Sequence, residues 1–170
     1  MKINLGCGSD YREGFVNIDG NIKIKADKYL CFPEDSLCTE FKNETVEYVL
    51  CKDFLEHHYH FDALDILKQI YKILITGSKV DIRIPNIDYL LSQQCHLSPE
   101  AKLLSIYGGQ DKKSGNKVMD EARIQRPEYH AHKFGWTKNQ MLDELKSIGF
   151  KVTLVVESDN RLDIWFYGVK

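Results

Sequence analysis

Short apolar runs alternate with segments of helical period along this chain, and that order constrains the fold more than any single motif does. The strand-like runs are Lys2 to Leu5, Phe15 to Ile18, Lys25 to Leu30, Glu47 to Cys51, Lys79 to Ile84, Phe150 to Glu157 and Asp163 to Val169. Strands interleaved with helices argue for an α/β architecture, a mostly parallel sheet with helices packed on it. With 170 residues, 43% of them hydrophobic, the chain has material for one domain with a core, and a single domain over residues 1–170 is expected.

The clearest helix is Phe61 to Leu74, where Leu64, Leu67, Ile70, Tyr71 and Leu74 form one apolar stripe and Thr76-Gly77-Ser78 supplies a stop. A second runs from Lys138 to Ile148, with Thr137 as N-cap, Met141, Leu142, Leu145 and Ile148 as its buried side, and Gly149 at its end. Between them, residues 86–133 hold a short helix at Pro99 to Tyr107 and then the polar stretch Gly108 to Asn116, read as a mobile loop or lid. Only eight residues separate Gly6 from Phe15, too few for a crossover helix, and Gly20 to Ile24 is equally short. The first strands must be joined by turns, which leaves one sheet face thinly covered and open to a homodimer or another partner.

Composition removes several functions. A formal charge of −2 provides no field for nucleic acid, and no run approaches the ~20 apolar residues of a membrane span. The start reaches Gly6-Cys7-Gly8 too soon for a signal peptide's apolar stretch, so a soluble, cytoplasmic protein is expected. Cys7, Cys31, Cys38, Cys51 and Cys95 are odd in number and contain no C-x-x-C pair, which fits reduced thiols rather than a disulfide framework or zinc knuckle.

The sharpest local signal is Ile3-Asn4-Leu5-Gly6-Cys7-Gly8, a strand running into two glycines one residue apart. Glycines at the carboxyl end of a parallel strand let the backbone turn and approach a ligand. The next strand ends in Asn17-Ile18-Asp19, and an acidic group there suits the two hydroxyls of a ribose. Tyr11 stands where a dinucleotide fold wants Gly or Ala, and no long helix follows to supply a dipole, so NAD and FAD are disfavoured. The phosphate cradle G-x-x-x-x-G-K-[ST] is also missing.

Asn4-Leu5-Gly6-Cys7-Gly8, Gly14-Phe15-Val16-Asn17-Ile18-Asp19, Phe54-Leu55-Glu56-His57-His58 and Ile84-Pro85-Asn86 follow one another in an order that resembles class I S-adenosylmethionine-dependent methyltransferases. The segment Asp10 to Asp19, with His132-Lys133-Phe134-Gly135-Trp136-Thr137 and Ile148-Gly149-Phe150, is most similar to a small bacterial group of predicted methyltransferases. The resemblance covers nearly the whole chain, with Asn86 to Tyr129 its least informative part. It departs from the larger family in Ile75-Thr76-Gly77-Ser78, where relatives favour K-P-G-G, and in the missing first crossover helix.

The resemblance implies a Rossmann-like, mostly parallel seven-stranded sheet whose last strand is antiparallel, with minimal helices in the N-terminal half and residues 86–133 as a variable substrate-side insert or lid. It implies S-adenosylmethionine as cofactor, its methionine part against Gly6, Cys7 and Gly8 and its ribose on Asp19. Phe32 stacking and Asp35 hydrogen bonding are the adenine contacts it suggests, with Asp53 also at the cofactor. Asp53, His57 or His58 is the candidate base at the mouth, with His132 and His130 able to reach the same place; the catalytic set is Asp53, His57 and His132. Glu56 and His57 have a plainer reading as braces of the following helix. The acceptor is a small molecule or sugar methylated on oxygen, the sugar following from the related group's company with polysaccharide-assembly genes. The alternatives are a non-catalytic cofactor-binding subunit and a metal-dependent hydrolase built on His57-His58-x-His60 and His130-x-His132. No fixed ligand pattern such as H-E-x-x-H is present, so no metal is expected. Trp165-Phe166-Tyr167 reads as core of the last strand rather than a base-stacking platform.

Overall fold

The computed structural model describes residues 1–109 and 117–170, apart from the side chains of 118, 119 and 122. Seven strands form one sheet: β1 (Lys2–Leu5), β2 (Val16–Asp19), β3 (Lys28–Tyr29), β4 (Val46–Lys52), β5 (Leu74–Pro85), β6 (Lys151–Glu157) and β7 (Asp163–Val169). Their order is β3-β2-β1-β4-β5-β7-β6, parallel from β3 to β5, with β7 antiparallel to both neighbours. The helices are α1 (Leu37–Glu40), α2 (His60–Ile73), α3 (Ile87–Leu91), α4 (Pro99–Tyr107), α5 (Lys117–Gln125) and α6 (Lys138–Ile148). No helix among the described residues is long and apolar enough to cross a membrane.

One sheet face is the core. Ile3, Leu5, Val49, Cys51, Val80, Ile82, Ile84, Ile164 and Phe166 alternate with outward residues and pack with Ala63, Leu67 and Ile70 of α2 and Met141 and Leu145 of α6. Each fully buried aliphatic side chain contributes roughly 1.5–3 kcal/mol. The expected ends of α6 are found: Thr137 accepts the Gln140 N–H, and Gly149 closes the helix at φ +118°.

The other face has loops where crossovers would put helices. Residues 6–15 and 20–27 contain no helix, and the segment from Ser9 to Phe15 folds back over β1 and β2. Two buried asparagines pin it: Asn4 Nδ2 donates to the Asp10 carbonyl at 2.7 Å and to Asn17 Oδ1 at 3.0 Å, and Asn17 Nδ2 donates to the Arg12 carbonyl at 3.0 Å. Farther along this face Tyr48, Asp81, Arg83, Trp165 and Tyr167 stay half-buried. The last-strand aromatics therefore divide: Phe166 is core, while Trp165 and Tyr167 stack on each other on the open face, ring centroids 6.0 Å apart.

Two strands depart from expectation by more than one residue at an end: β3, and β5, which starts at Leu74 instead of Lys79. α2 does not reach Thr76-Gly77-Ser78, because Leu74 is already extended and pairs with Val46. The third strand shrinks to Lys28–Tyr29 because the Asp27 carboxylate, as well as its N–H, bonds Asn17 where a longer ladder would run. In the 86–133 segment, Ile87, Leu90 and Cys95 form a small second core with Leu97, Ile106 and Leu162. The lid read at Gly108 to Asn116 lies outside the described residues from position 110 onward.

Candidate active site

β1 ends at Leu5 and the chain turns at once. Gly6 and Gly8 take φ of +67° and +49°, left-handed conformations that cost other residues about 1–2 kcal/mol. A Cβ on Gly6 would collide with the Phe54 ring, whereas one on Gly8 would meet nothing within 4 Å. Packing demands the first glycine, and the second leaves backbone open to a ligand. At the end of β2, Asp19 accepts the Gly8 N–H on Oδ2 and the Asn21 N–H on Oδ1, both at 2.8 Å. Each oxygen retains a second lone pair for a hydroxyl.

Two cavities open on this turn. One, of about 660 Å³, is lined by Asp19, Leu30, Cys31, Phe32, Phe54 and His58 among others. The second, of about 610 Å³, is lined by Asp10, Lys52, Glu56, Ser105, His132 and Asp163 among others. Gly6, Gly8, Asp53, His57 and His130 wall both, so the cavities meet at the glycine turn. Cys7 lies in the second wall; burial, then the charge of Asp19, pushes its thiol up to about 12 and leaves it unreactive.

Phe32 presents its edge to Phe54 at 5.9 Å and to His58 at 6.2 Å, forming the aromatic side of the first cavity. Asp35 is not brought there. It is exposed and accepts the N–H of Cys31 at 2.7 Å, and Glu34 is the acidic residue of that loop on the wall.

Asp53 follows β4 at φ +51° and is gripped by Arg83 of β5, whose Nε donates to Oδ1 at 2.6 Å while Nη2 donates to Oδ2. Such a fork fixes the position and orientation of the carboxylate at the mouth. Arg83 gave no sequence signal, because only the β4–β5 register sets it beside Asp53.

The next residues form a single 3-10 turn, Leu55–His57. The Glu56 carbonyl accepts the N–H groups of Lys133 at 2.7 Å and Phe134 at 3.3 Å, and His57 Nδ1 donates to the Ala131 carbonyl at 3.2 Å. Glu56, through its backbone carbonyl, and His57, through its ring, thus brace the segment 131–134 rather than the start of the following helix, whose N-cap Tyr59 makes no side-chain capping bond. His132 is held from its other side, its N–H donating to the Tyr107 carbonyl at 2.9 Å. Gly108 permits this: at φ +82°, a Cβ there would strike the His130 carbonyl and stand 3.0 Å from His132.

Burial dominates the electrostatics. It pushes the Glu56 carboxyl well above its usual range, with repulsion from Asp53 adding to it. It lowers His57 to about 3, helped by His132, and His58 to about 4, helped by Lys133. His132 is lowered by burial against the opposing Ile106 and Ser105 backbones. At neutral pH these imidazoles are uncharged. The rings of His57 and His132 lie 5.0 Å apart, while His60 packs instead on Phe134 and Trp136, outside both cavities.

The same fold occurs in known structures. A methyltransferase of Archaeoglobus fulgidus dependent on S-adenosylmethionine superposes with a TM-score of 0.63 at 14% identity, over 99% of this chain and 85% of its own. The chain has the fold of S-adenosylmethionine-dependent methyltransferases. A Thermotoga maritima methyltransferase described as a possible histamine N-methyltransferase gives 0.63 at 13% identity over 99% and 81%, and one from Mesorhizobium loti gives 0.61 at 10% over 99% and 90%. No protein-family model matches the chain, and no curated protein does. Within the methyltransferase fold, the glycine turn and Asp19 stand at the carboxyl ends of neighbouring parallel strands, where open sheets bind ligands.

Proposed function

We propose that this protein is a cytoplasmic methyltransferase that moves a methyl group from S-adenosylmethionine to a hydroxyl of a small polar acceptor of the sugar class. The observation that carries the reading is the meeting of two cavities at the Gly6–Gly8 turn. Donor and acceptor then occupy separate walls with their reacting ends at one junction.

Asp19 fits the ribose hydroxyls, Phe32 and Phe54 fit the adenine, and the open backbone at Gly8 fits the methionine end. When bound, the cofactor supplies a sulfonium methyl that an acceptor oxygen takes by in-line displacement, the carbon–sulfur pair returning to sulfur. The chain's own task is to position the acceptor, exclude water and let the hydroxyl proton leave. Asp10, Lys52, Ser105 and Asp163 give the second cavity a polar lining suited to several hydroxyls. The Asp53–Arg83 pair fixes the junction, and the neutral imidazoles of His57 and His132 offer lone pairs beside it.

The test supplies cofactor with a labelled methyl group to panels of sugars, sugar nucleotides and, as controls, amines including histamine. Label on a sugar oxygen is expected. Label on amines alone would overturn the oxygen assignment, and cofactor binding without transfer to either panel would favour a non-catalytic binding subunit.

A further inference from the structure

Glu56, His57 and His132 each place a ligand atom within 4.8 Å of the others. All three line the second cavity. Glu56 is 2% exposed, and its Oε2 is buried with no hydrogen-bond partner. A buried carboxyl oxygen without a partner needs an explanation, and a bound ion, which would also favour the charged form, is one of the few available. We propose that these three residues bind one divalent transition-metal ion of the zinc class in the acceptor cavity.

The chemistry of the set supports it. Two imidazoles and one carboxylate are a common three-ligand set for catalytic zinc, leaving a further coordination position open. Tetrahedral bonds of about 2.0–2.1 Å want donors about 3.3 Å apart, so from separations within 4.8 Å the side chains need to close by no more than about 1.5 Å. The second shell is already built: Ala131 accepts the Nδ1 proton of His57, which leaves Nε2 as the ring's lone-pair atom, and backbone bonds from Lys133 to Glu56 and from His132 to Tyr107 lock the segments together. His58 and His130 are not members of the cluster.

The ion's role rests on the methyl-transfer reading, although its binding does not. In that role the open position takes the acceptor hydroxyl, the metal lowers its pKa, and the released proton passes to water. The resulting oxygen attacks the methyl carbon as the carbon–sulfur bond breaks. This assigns proton removal to the ion, where Asp53 is held by Arg83 and the histidines serve as ligands.

The experiment titrates Co²⁺, then Zn²⁺, into full-length protein freed of metal by chelator, reading the visible cobalt absorption and the bound equivalents. One equivalent is expected, with Zn²⁺ displacing the cobalt. Loss of a group that only orients a ligand costs about 10–100-fold, so Glu56→Gln and His132→Ala should each weaken binding at least about 100-fold. His96→Ala, at an exposed position outside the cluster, should leave it unchanged. Circular dichroism and melting verify that each variant is folded, and the near-isosteric Glu56→Gln guards against a collapse caused by truncation. Wild type that binds no ion, or cobalt absorption that survives both folded variants, overturns the proposal. Titrating S-adenosylmethionine into the same samples separates the two readings: cofactor binding without metal sinks the ion alone, and metal binding without cofactor sinks methyl transfer and leaves the ion.

Discussion

Two glycines one residue apart do different work at the mouth of this protein. Gly6 combines a left-handed backbone with the Phe54 ring where a side chain would begin, while Gly8 has the backbone without the crowding. Gly6→Ala should therefore act mainly on stability. The left-handed conformation costs about 1–2 kcal/mol and displacement of Phe54 adds a similar overpacking term, for a fall of roughly 5–10 °C in Tm. Gly8→Ala should cost only the backbone term, about 2–5 °C, yet weaken S-adenosylmethionine at least about tenfold by filling the open approach. Thermal melts paired with calorimetric titrations of both variants check this, and equal effects of the two substitutions on Tm and affinity would contradict it. Both glycines and Asp19 were legible in the sequence because turn chemistry at a strand end is local. Arg83, Gly108 and the orphan oxygen of Glu56 were not, since each acquires its role from a residue 22 or more positions away.

At the level of elements, side chains replace helices along the N-terminal half. Asp27 does the work of a longer β3: its carboxylate accepts the Asn17 N–H at 2.8 Å, Asn17 Nδ2 at 2.9 Å and the Tyr11 hydroxyl at 2.9 Å. Those donors, the Asn17 backbone first, hold its pKa below the usual carboxylate value. A carboxylate with a depressed folded-state pKa stabilises above its unfolded value of about 3.9, and that contribution disappears as pH falls through the folded value. Asp27→Ala should lower Tm at pH 7, and the gap to wild type should close as the pH is taken below about 3.9. Melting curves across that range decide it, and a gap independent of pH would show that the carboxylate charge is not what holds β3. This also explains the strand read from Lys25 to Leu30: an apolar and basic run does not reveal that a side chain will take over the ladder. The β1 and β7 boundaries agree with the sequence residue for residue: Ile3 and Leu5 of β1 and the alternating Ile164 and Phe166 of β7 share one core with α2 and α6. The α2 boundary moved because Thr76-Gly77-Ser78 imitates a helix stop, while Leu74 has a stronger claim as a strand residue beside Val46.

Across the whole molecule, the fold packs α1, α2 and α6 into one core with the sheet and puts its chemistry at the carboxyl ends of the strands. The turns that replace the first crossovers leave the glycine loop held by Asn4, Asn17 and Asp19 rather than by a helix. The architecture was readable from the alternation of runs. The contents of the second cavity were not, because α4, Gly108 and His132 reach it only through tertiary contacts. The account therefore stands on the first cavity being a nucleoside site. The most direct measurement is calorimetric titration of S-adenosylmethionine and S-adenosylhomocysteine into wild type and Asp19→Ala, with NAD as control. The account predicts saturable binding of both sulfur nucleosides, loss of at least about tenfold in the variant through the ribose hydrogen bonds, and no response to NAD. Folded wild-type protein that binds neither nucleoside, or a variant that binds them as tightly as wild type, would contradict it.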